Sequence, residues 1–343
     1  MAFKGKPNAM ESRALGRTGV QVSVACFGTM TFGWDPDDWG STEAVSIQLT
    51  HAAIDMGVNF FDTADVYARG TSETILGKAL QGKRDRIVLA TKCHGKMDDT
   101  DPNAWGNSYR HVVGACEASL KRLGTDWIDL YQIHRPQPSI PIDETLRALS
   151  DLQRAGKIRY AGCSTFAAWQ VCEAHYVARE MGAAGFVTEQ PPYNLVDRRI
   201  ERELLPFCRT YDYGVIPWSP LAGGMLSGKY LDGAPDEGRY AKSDPSGRVQ
   251  QLPREKLLAL RDLAAKHGHS MATLSLAWVA NQPGITSPII GARSEKQLQE
   301  SVDACQVKLD SELLKAIDEI FEPGSHHVSY YNANFGPNAR PNR

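Results

Sequence analysis

The sequence predicts an α/β fold, a single (β/α)8 barrel, and three observations favour it. Short apolar runs recur eight times between residues 23 and 304, segments with helical periodicity separate them, and most of the runs are hydrophobic throughout. Such runs are typical of parallel strands buried on both faces, and eight of them alternating with helices indicate a barrel. A doubly wound sheet is the alternative, because strand order cannot be read from a sequence.

The strands and helices can be assigned along the chain. Thr42 precedes the first helix as a capping residue, and Gly124 follows a helix that places Cys116, Leu120 and Leu123 on one face. The eight predicted strands cover residues 23–29, 58–64, 86–92, 126–134, 158–165, 185–190, 213–219 and 287–292.

Further features extend this barrel. Residues 11–24 are predicted to form a hairpin that plugs the barrel ahead of its first strand. Residues 220–252 form a long polar loop after the seventh strand, rich in Gly, Pro and Asp, and loops of this length are usually functional. We expect one domain over residues 1–343, with the barrel at about 23–304, an extra C-terminal helix and a tail at 322–343.

Composition disfavours several classes of protein. Lys plus Arg (38) nearly balance Asp plus Glu (40), so there is no electrostatic reason to expect a nucleic-acid or acidic-membrane partner. No apolar run approaches the roughly twenty residues that span a bilayer, and the N-terminal residues lack the apolar core of a secretion signal. The seven cysteines include no C-x-x-C pair. We therefore expect reduced thiols, a cytoplasmic protein and no metal site.

Polar residues follow three successive predicted strands. Asp62 closes the second strand and Tyr67 follows it, Lys92 closes the third strand, and His134 closes the fourth. In a (β/α)8 barrel these positions face the active site. Each residue alone could be a cap, a packing residue or a surface group. A lysine directly after an apolar strand is costly unless something pairs with it, however, and Asp62 is the natural partner.

This combination of side chains predicts proton transfer. A neighbouring ammonium favours the phenolate form of a tyrosine, which would make Tyr67 a usable proton donor near neutral pH. Asp62 would hold Lys92 charged, and His134 would position a substrate oxygen by a hydrogen bond. A group that protonates oxygen suits carbonyl reduction, but no side chain supplies hydride, so a cofactor must.

Known nucleotide motifs do not fit the chain. The G-x-G-x-x-G fingerprint of a Rossmann NAD site is absent. The segment GGMLSGKY, residues 223–230, nearly matches a P-loop, but Tyr230 stands where the magnesium-binding Ser or Thr is required. The same loop could still present backbone N–H groups to a pyrophosphate.

Seven segments occur in the order of a known family and together cover roughly residues 10–322. They are GVNFFDTADVY, LATK, DLYQIHRP, GKIRYAGCST, EQPPYN, PWSPLAGGMLSGKY and IIGARSEKQLQES. In these segments the chain resembles the aldo-keto reductases. The resemblance implies a (β/α)8 barrel that binds NADPH, usually in preference to NADH, without a Rossmann domain.

The resemblance also implies roles for individual residues. Asp62, Tyr67, Lys92 and His134 match the family's catalytic tetrad. Arg293 is the candidate for the 2′-phosphate of NADPH, because a guanidinium suits that dianion. The residues implied to bind the cofactor include Thr29, Met30 and Asp62. The others are Ser164, Thr165 and Gln190 at the nicotinamide carboxamide; Trp218 stacked on the nicotinamide ring; Ser219, Leu221, Gly223 and Lys229 along the pyrophosphate; and Gly291, Arg293, Gln297 and Glu300 at the adenosine end.

Two positions depart from the family pattern. Thr165 stands where the family generally has Asn, so one hydrogen bond to the carboxamide is expected to change. Ser301 stands where Asn commonly contacts adenine. Neither position belongs to the tetrad.

The expected substrate is an aldehyde or ketone, and NADPH, or alternatively NADH, is the expected hydride donor. Trp34, Trp39 and Trp105 lie in the loops after the first and third strands and suggest an apolar or aromatic substrate, although they could equally be packing residues. One alternative is a redox-sensing regulatory subunit of the kind found in the channel-associated branch of the family. Another is a metal-dependent barrel lyase or isomerase. The oligomeric state stays open.

Overall fold

The computed structural model describes residues 10–35, 39–231, 233, 235, 238–328 and 330. Among them it has ten strands: β1 Ser12–Ala14, β2 Gln21–Ser23, β3 Cys26–Gly28, β4 Phe60–Asp62, β5 Val88–Cys93, β6 Ile128–Ile133, β7 Ile158–Ser164, β8 Phe186–Gln190, β9 Gly214–Val215 and β10 Ile289–Ile290.

Eight of these strands form one parallel sheet. Its order is β10-β3-β4-β5-β6-β7-β8-β9, so that strands consecutive in sequence are neighbours in space. The two edges are also joined: Thr286 N donates to Val215 O at 2.8 Å, and Ile289 N donates to Pro217 O at 2.9 Å. The sheet therefore curls until its edges meet, as in a (β/α)8 barrel, and the doubly wound alternative is wrong.

Ten helices lie among the described residues, and most of them connect successive strands. Thr42 caps α1 by accepting a hydrogen bond from Val45 N, and Gly124 ends α3 at φ 63, as predicted. The helices are α1 Glu43–Asp55, α2 Thr71–Ala79, α3 Tyr109–Leu123, α4 Ile142–Arg154, α5 Ala168–Met181, α6 Leu204–Thr210, α7 Arg254–Lys266, α8 Met271–Asn281, α9 Glu295–Gln306 and α10 Ser311–Ile320.

All eight barrel strands are shorter than predicted, and the first, second, seventh and eighth lose the most. The seventh, expected over 213–219, is reduced to Gly214–Val215, and the eighth, expected over 287–292, to Ile289–Ile290. Pro217 follows the former and Pro288 precedes the latter. Because proline has no N–H group to donate, it interrupts a strand ladder.

The hairpin of β1 and β2 precedes the barrel. The two strands pair antiparallel, with Arg13 opposite Val22. Leu15 and Val22 are buried in one cluster with Cys26, Phe60 and other residues of the parallel strands. The hairpin therefore packs against the barrel strands, and its role as a plug stays a prediction.

The long segment after β9 lies at the carboxyl end of that strand. A 3-10 turn at Ala222–Ser227 follows, and no further helix occurs in the described residues until α7 begins at Arg254. Of the predicted tail, 322–343, the structure describes residues 322–328 and 330. No helix within the described ranges has the length and hydropathy needed to cross a bilayer.

Candidate active site

Lys92 occupies the centre of the site. It is the fifth residue of β5, and its side chain is fully buried. Its ammonium donates to Asp62 Oδ1 at 2.5 Å, to Thr63 O at 2.7 Å and to Tyr67 Oη at 3.3 Å. Three donors therefore meet three acceptors, so a buried charge that would otherwise be costly is satisfied.

Tyr67 and His134 complete the group of four predicted residues. The Tyr67 hydroxyl accepts the hydrogen bond from Lys92, and the Tyr67 and His134 rings meet edge to face with centroids 5.9 Å apart. His134 lies directly after β6, where its backbone N–H donates to Cys93 O at 2.9 Å. Asp62, Tyr67, Lys92 and His134 thus meet at the carboxyl ends of β4, β5 and β6.

Asp62 has two further partners, of which Gln190 was predicted as a site residue and Gln132 was not. Its Oδ2 atom accepts hydrogen bonds from Gln132 Nε2 at 3.1 Å and from Gln190 Nε2 at 2.9 Å. Gln132 lies in β6, two residues before His134, which directly follows that strand. Since side chains two apart in a strand share a face, this alternation could have identified Gln132. Thr29, which was predicted, lies on the other side and donates through its backbone N–H to Asp62 O at 2.9 Å.

Burial and neighbouring charges set the ionisation of the site. Burial alone would lower the pKa of Lys92, but the Asp62 carboxylate and Tyr67 outweigh it, so the pKa lies above its ordinary value and the ammonium stays charged. Burial lowers the pKa of His134 well below its ordinary range, and the cations of Arg135 and Lys92 add to that effect. His134 is therefore a neutral imidazole at neutral pH and can donate a single hydrogen bond.

The predicted carboxamide residues form one cluster at the ends of β7 and β8. Ser164 Oγ donates to Gln190 O at 2.8 Å, and Thr165 N donates to the same carbonyl oxygen at 3.2 Å. Thr165 has φ 60, which is unusual for a β-branched residue. Arg135, which was not predicted, donates to Thr165 Oγ1 at 2.8 Å.

Trp218 lies at the next position around the rim, after β9. Its indole Nε1 is buried and has no hydrogen-bond partner among the described residues. Its ring lies 5.9 Å from that of Tyr330, at an angle of 66°. Tyr330 in turn is held by Asp197 Oδ2, which accepts its backbone N–H at 2.9 Å, and by Arg248, which lies 4.4 Å over its ring.

The predicted pyrophosphate residues lie in a backbone turn of unusual conformation. Leu221 has φ −99 and ψ 16, and Ala222 after it has φ 53. A right-handed residue followed by a left-handed one is the arrangement of backbone nests that bind anions. Gly223 has φ 66, and a Cβ atom there would lie 2.9 Å from the Tyr240 ring, so a larger residue would be strained and would displace that ring. The other predicted residues of this loop are Ser219, at φ 54, and Lys229, whose ammonium lies 5.3 Å from the Tyr230 ring centroid.

The predicted adenosine residues lie at the end of β10 and the start of α9. Arg293 N donates to Gln297 Oε1 at 2.9 Å, and Ser294 Oγ caps α9. Gly291 is exposed, and Glu300 faces solvent in a weak ion pair with Lys296 at 3.9 Å. The cations of Arg293 and Arg239 both act on Tyr230. Arg293 and Lys296 are the cations at the start of α9, and Glu295 and Glu300 are the acids there.

These segments fit an extended dinucleotide. They follow β7, β8, β9 and β10, which are consecutive around the curled sheet. An aromatic ring, a nest-like turn and the Arg293 guanidinium occur in that order. The buried Trp218 indole N–H, which has no hydrogen-bond partner in the described part of the chain, is the feature of this surface that a ligand could satisfy.

The predicted substrate residues form two aromatic pairs. Trp34 and Trp39 stack with ring centroids 5.7 Å apart, and Arg239 lies 5.1 Å over the Trp39 ring. Trp105 meets His94 edge to face at 6.1 Å. Trp34 is 40% exposed and Trp105 45%, which is high for tryptophan. Met30, partly buried, lies directly after Thr29.

All seven cysteines are free, and all but Cys172 are buried. No group of three or more His, Cys, Asp or Glu side chains within the described ranges is arranged to hold a metal ion.

Comparison with known proteins identifies relatives over almost the whole chain. Residues 25–322 match the model of the aldo/keto reductase family. An uncharacterized oxidoreductase of Bacillus subtilis, YrpG, is 39% identical over 335 residues, covering 94% of this chain and 99% of its own length. A putative voltage-gated potassium channel subunit beta of Schizosaccharomyces pombe is 36% identical, covering 95% and 97%. A versiconal hemiacetal acetate reductase of Aspergillus parasiticus is 35% identical, covering 93% and 99%.

Proposed function

This chain belongs to the aldo/keto reductase family, and from that membership and the geometry of the site we propose that it reduces aldehydes or ketones to alcohols with NADPH. The observation that carries the proposal is the buried ammonium of Lys92, bonded to both Asp62 and the Tyr67 hydroxyl. A phenol held beside a satisfied ammonium is a proton donor, and the family uses a nicotinamide cofactor.

The residues of the site would act in the following way. A bound nicotinamide cofactor supplies the hydride that adds to the carbonyl carbon. Neutral His134 donates a hydrogen bond to the carbonyl oxygen and orients it. As negative charge develops on that oxygen, Tyr67 gives it the phenolic proton. The phenolate left behind is stabilised by the ammonium of Lys92, which Asp62 holds in place.

NADPH is the preferred cofactor in this proposal, and NADH is the alternative. The support is the Arg293 guanidinium at the predicted adenosine end, on a backbone that the Gln297 side chain holds through the Arg293 N–H. A guanidinium is well matched to the 2′-phosphate that distinguishes the two cofactors.

The substrate is proposed to carry an apolar or aromatic group. The stacked pair of Trp34 and Trp39 and the exposed ring of Trp105 offer flat apolar surface. Aromatic faces bind other rings and apolar groups favourably.

A second candidate is a dinucleotide-binding regulatory subunit with little turnover. The similarity to a putative potassium channel subunit beta supports it. The presence of His134 beside Tyr67 favours turnover instead, because a hydrogen-bond donor to the substrate oxygen is a catalytic device.

One assay separates these functions. The protein is mixed with NADPH and 4-nitrobenzaldehyde, and the loss of NADPH absorbance is followed. We expect steady turnover by the unaltered protein and by Tyr109→Phe, an exposed tyrosine on α3, but not by Tyr67→Phe. Tight NADPH binding without turnover over a broad carbonyl panel would favour the regulatory subunit. Activity that needs a metal and no nucleotide would overturn both.

A further inference from the structure

Thr165 adopts a backbone conformation that its side chain disfavours. The residue is 1% exposed and has φ 60. A β-branched residue is rarely left-handed, and such outliers persist only where surrounding contacts hold them. The residue lies at the position predicted to meet the nicotinamide carboxamide, where the family generally has asparagine.

Hydrogen bonds with Arg135, Glu189 and Gln190 hold the backbone turn at Thr165 and Phe166. Arg135 Nη1 donates to Thr165 Oγ1 at 2.8 Å and to His134 O at 2.9 Å. Glu189 Oε1 accepts the N–H of Phe166, the next residue, at 2.9 Å. The carbonyl of Gln190 accepts the N–H of Thr165. The Arg135 main chain is itself anchored, since its carbonyl accepts a hydrogen bond from buried Asn107 at 2.9 Å.

The hydrogen bonds around Thr165 decide which way its hydroxyl proton points. A guanidinium only donates, so Thr165 Oγ1 is the acceptor for Arg135. Ser164 has one hydroxyl proton, and that proton goes to the carbonyl of Gln190 at 2.8 Å. In the contact between Ser164 Oγ and Thr165 Oγ1, at 3.4 Å, Thr165 is therefore the donor. That bond is long, so a ligand oxygen at an ordinary distance would take the proton instead.

We propose that Arg135 is a positioning residue that makes the Thr165 hydroxyl the donor to the carboxamide oxygen of the nicotinamide, in place of the asparagine amide common in the family. The inference rests on the proposed function. Arg135 acts in two ways: it occupies an acceptor site of Thr165 Oγ1, and its charge polarises the hydroxyl toward donation. The same guanidinium bonds the His134 carbonyl, so it also links the cofactor end of the site to the substrate end.

The test measures binding of two ligands by calorimetry. NADP⁺ carries the carboxamide, whereas 2′,5′-ADP carries only the adenosine end. We expect Thr165→Val to weaken NADP⁺ binding about 5–10-fold, the worth of one buried hydrogen bond, and Thr165→Ser to bind normally. Arg135→Met should weaken NADP⁺ by a similar factor, while 2′,5′-ADP binds all variants within about twofold of the unaltered protein. Arg147→Met, an exposed arginine on α4, is the matched control and should change neither ligand.

A double variant tests whether Arg135 acts through Thr165. Combining Arg135→Met with Thr165→Val should be no worse for NADP⁺ than Thr165→Val alone, because the hydroxyl that Arg135 orients is already gone. Additive losses would overturn the inference. So would normal NADP⁺ binding by Thr165→Val, or equal weakening of NADP⁺ and 2′,5′-ADP by Arg135→Met.

The outcomes also separate this inference from the proposed function. An unaltered protein that binds neither ligand overturns both. An unaltered protein that binds NADP⁺ tightly but does not depend on the Thr165 hydroxyl overturns this inference alone. If Arg135→Met does not fold, the comparison of Thr165→Val with Thr165→Ser decides.

Discussion

Among single residues, Lys92 links stability to chemistry. Its ammonium and the Asp62 carboxylate lie together in the barrel interior, 2.5 Å apart and almost without exposure to solvent. Breaking a buried ion pair from one side leaves an uncompensated charge, which costs more than an exposed pair contributes. The ion pair with Asp62 therefore also positions the ammonium that donates to Tyr67, the proposed proton donor.

We predict that Lys92→Met lowers the free energy of unfolding by about 3–5 kcal/mol, because Asp62 loses its cation, and lowers carbonyl turnover at least 100-fold. Urea unfolding and NADPH consumption are the measurements. Lys78→Met is the control, since Lys78 is half exposed and pairs with exposed Glu43. A Lys92→Met protein as stable as the Lys78→Met control would contradict the prediction.

For single residues, the sequence predicts the charged side chains of the site better than the polar side chains that form hydrogen bonds with them. The partnership of Asp62 with Lys92 follows from the cost of burying a lysine alone. Gln132 and Arg135 carry no such signal, because an amide or an arginine beside a strand end is common. Their roles become visible only when distances to Asp62 Oδ2 and Thr165 Oγ1 are known.

Among the secondary-structure elements, the start of α9 is where we propose that cofactor selectivity arises. Ser294 caps the helix, and the Gln297 side chain accepts the backbone N–H of Arg293. These two bonds fix the backbone from which the Arg293 guanidinium extends. Helix N-termini also favour anions.

We predict that Arg293→Ala raises the dissociation constant for NADPH about 10–100-fold, the worth of a charge-assisted hydrogen bond, and leaves that for NADH within about twofold. Fluorescence titration with both cofactors is the measurement, and Lys296→Ala, an exposed lysine one turn away, is the control. Equal losses of NADPH and NADH affinity would show that Arg293 does not read the 2′-phosphate.

The helix boundaries were predictable where a capping residue marks them, as at Thr42 and Gly124. The lengths of β9 and β10 were not, because apolar residues continue past the points where Pro217 and Pro288 interrupt pairing. The loop after β9 was recognised by its length. Its left-handed residues, Ser219 and Ala222, have no sequence signature, because neither is a glycine.

For the whole molecule, the barrel follows from a pattern that runs through the entire chain. Eight buried strands separated by helices restrict the fold to a few architectures. The sequence alone could not decide between a barrel and a doubly wound sheet. The hydrogen bonds of Thr286 and Ile289 to the strand end near Val215 decide it, because they join the two edges of the sheet. No local sequence pattern encodes that pairing.

Asp65 makes the stability of the whole molecule depend on pH. Asp65 is fully buried, and burial raises its pKa to about 8. The nearby Glu73 carboxylate raises the pKa further, whereas the cations of Arg122 and Lys92 lower it. An unfolded aspartate titrates near about 3.9. Between these values the folded state binds a proton that the unfolded state has lost, so stability falls as pH rises from about 4 to 8.

We predict that Asp65→Asn, which is neutral at every pH, removes this dependence. Its free energy of unfolding should exceed that of the unaltered protein by a margin that grows with pH and reaches on the order of 3 kcal/mol near pH 8. Urea unfolding across this range is the measurement, with exposed Asp262→Asn as the control. Parallel stability curves for Asp65→Asn and the unaltered protein would contradict the assignment.

The most direct test of the proposed chemistry is a single-turnover measurement on Tyr67→Phe. Enzyme preloaded with NADPH is mixed rapidly with 4-nitrobenzaldehyde, and the dissociation constant for NADPH is determined separately. With Tyr67 as the proton donor, the variant binds NADPH as the unaltered protein does, and its rate of hydride transfer falls at least about 100-fold. A variant that binds NADPH normally and transfers hydride at the original rate would contradict the role of Tyr67.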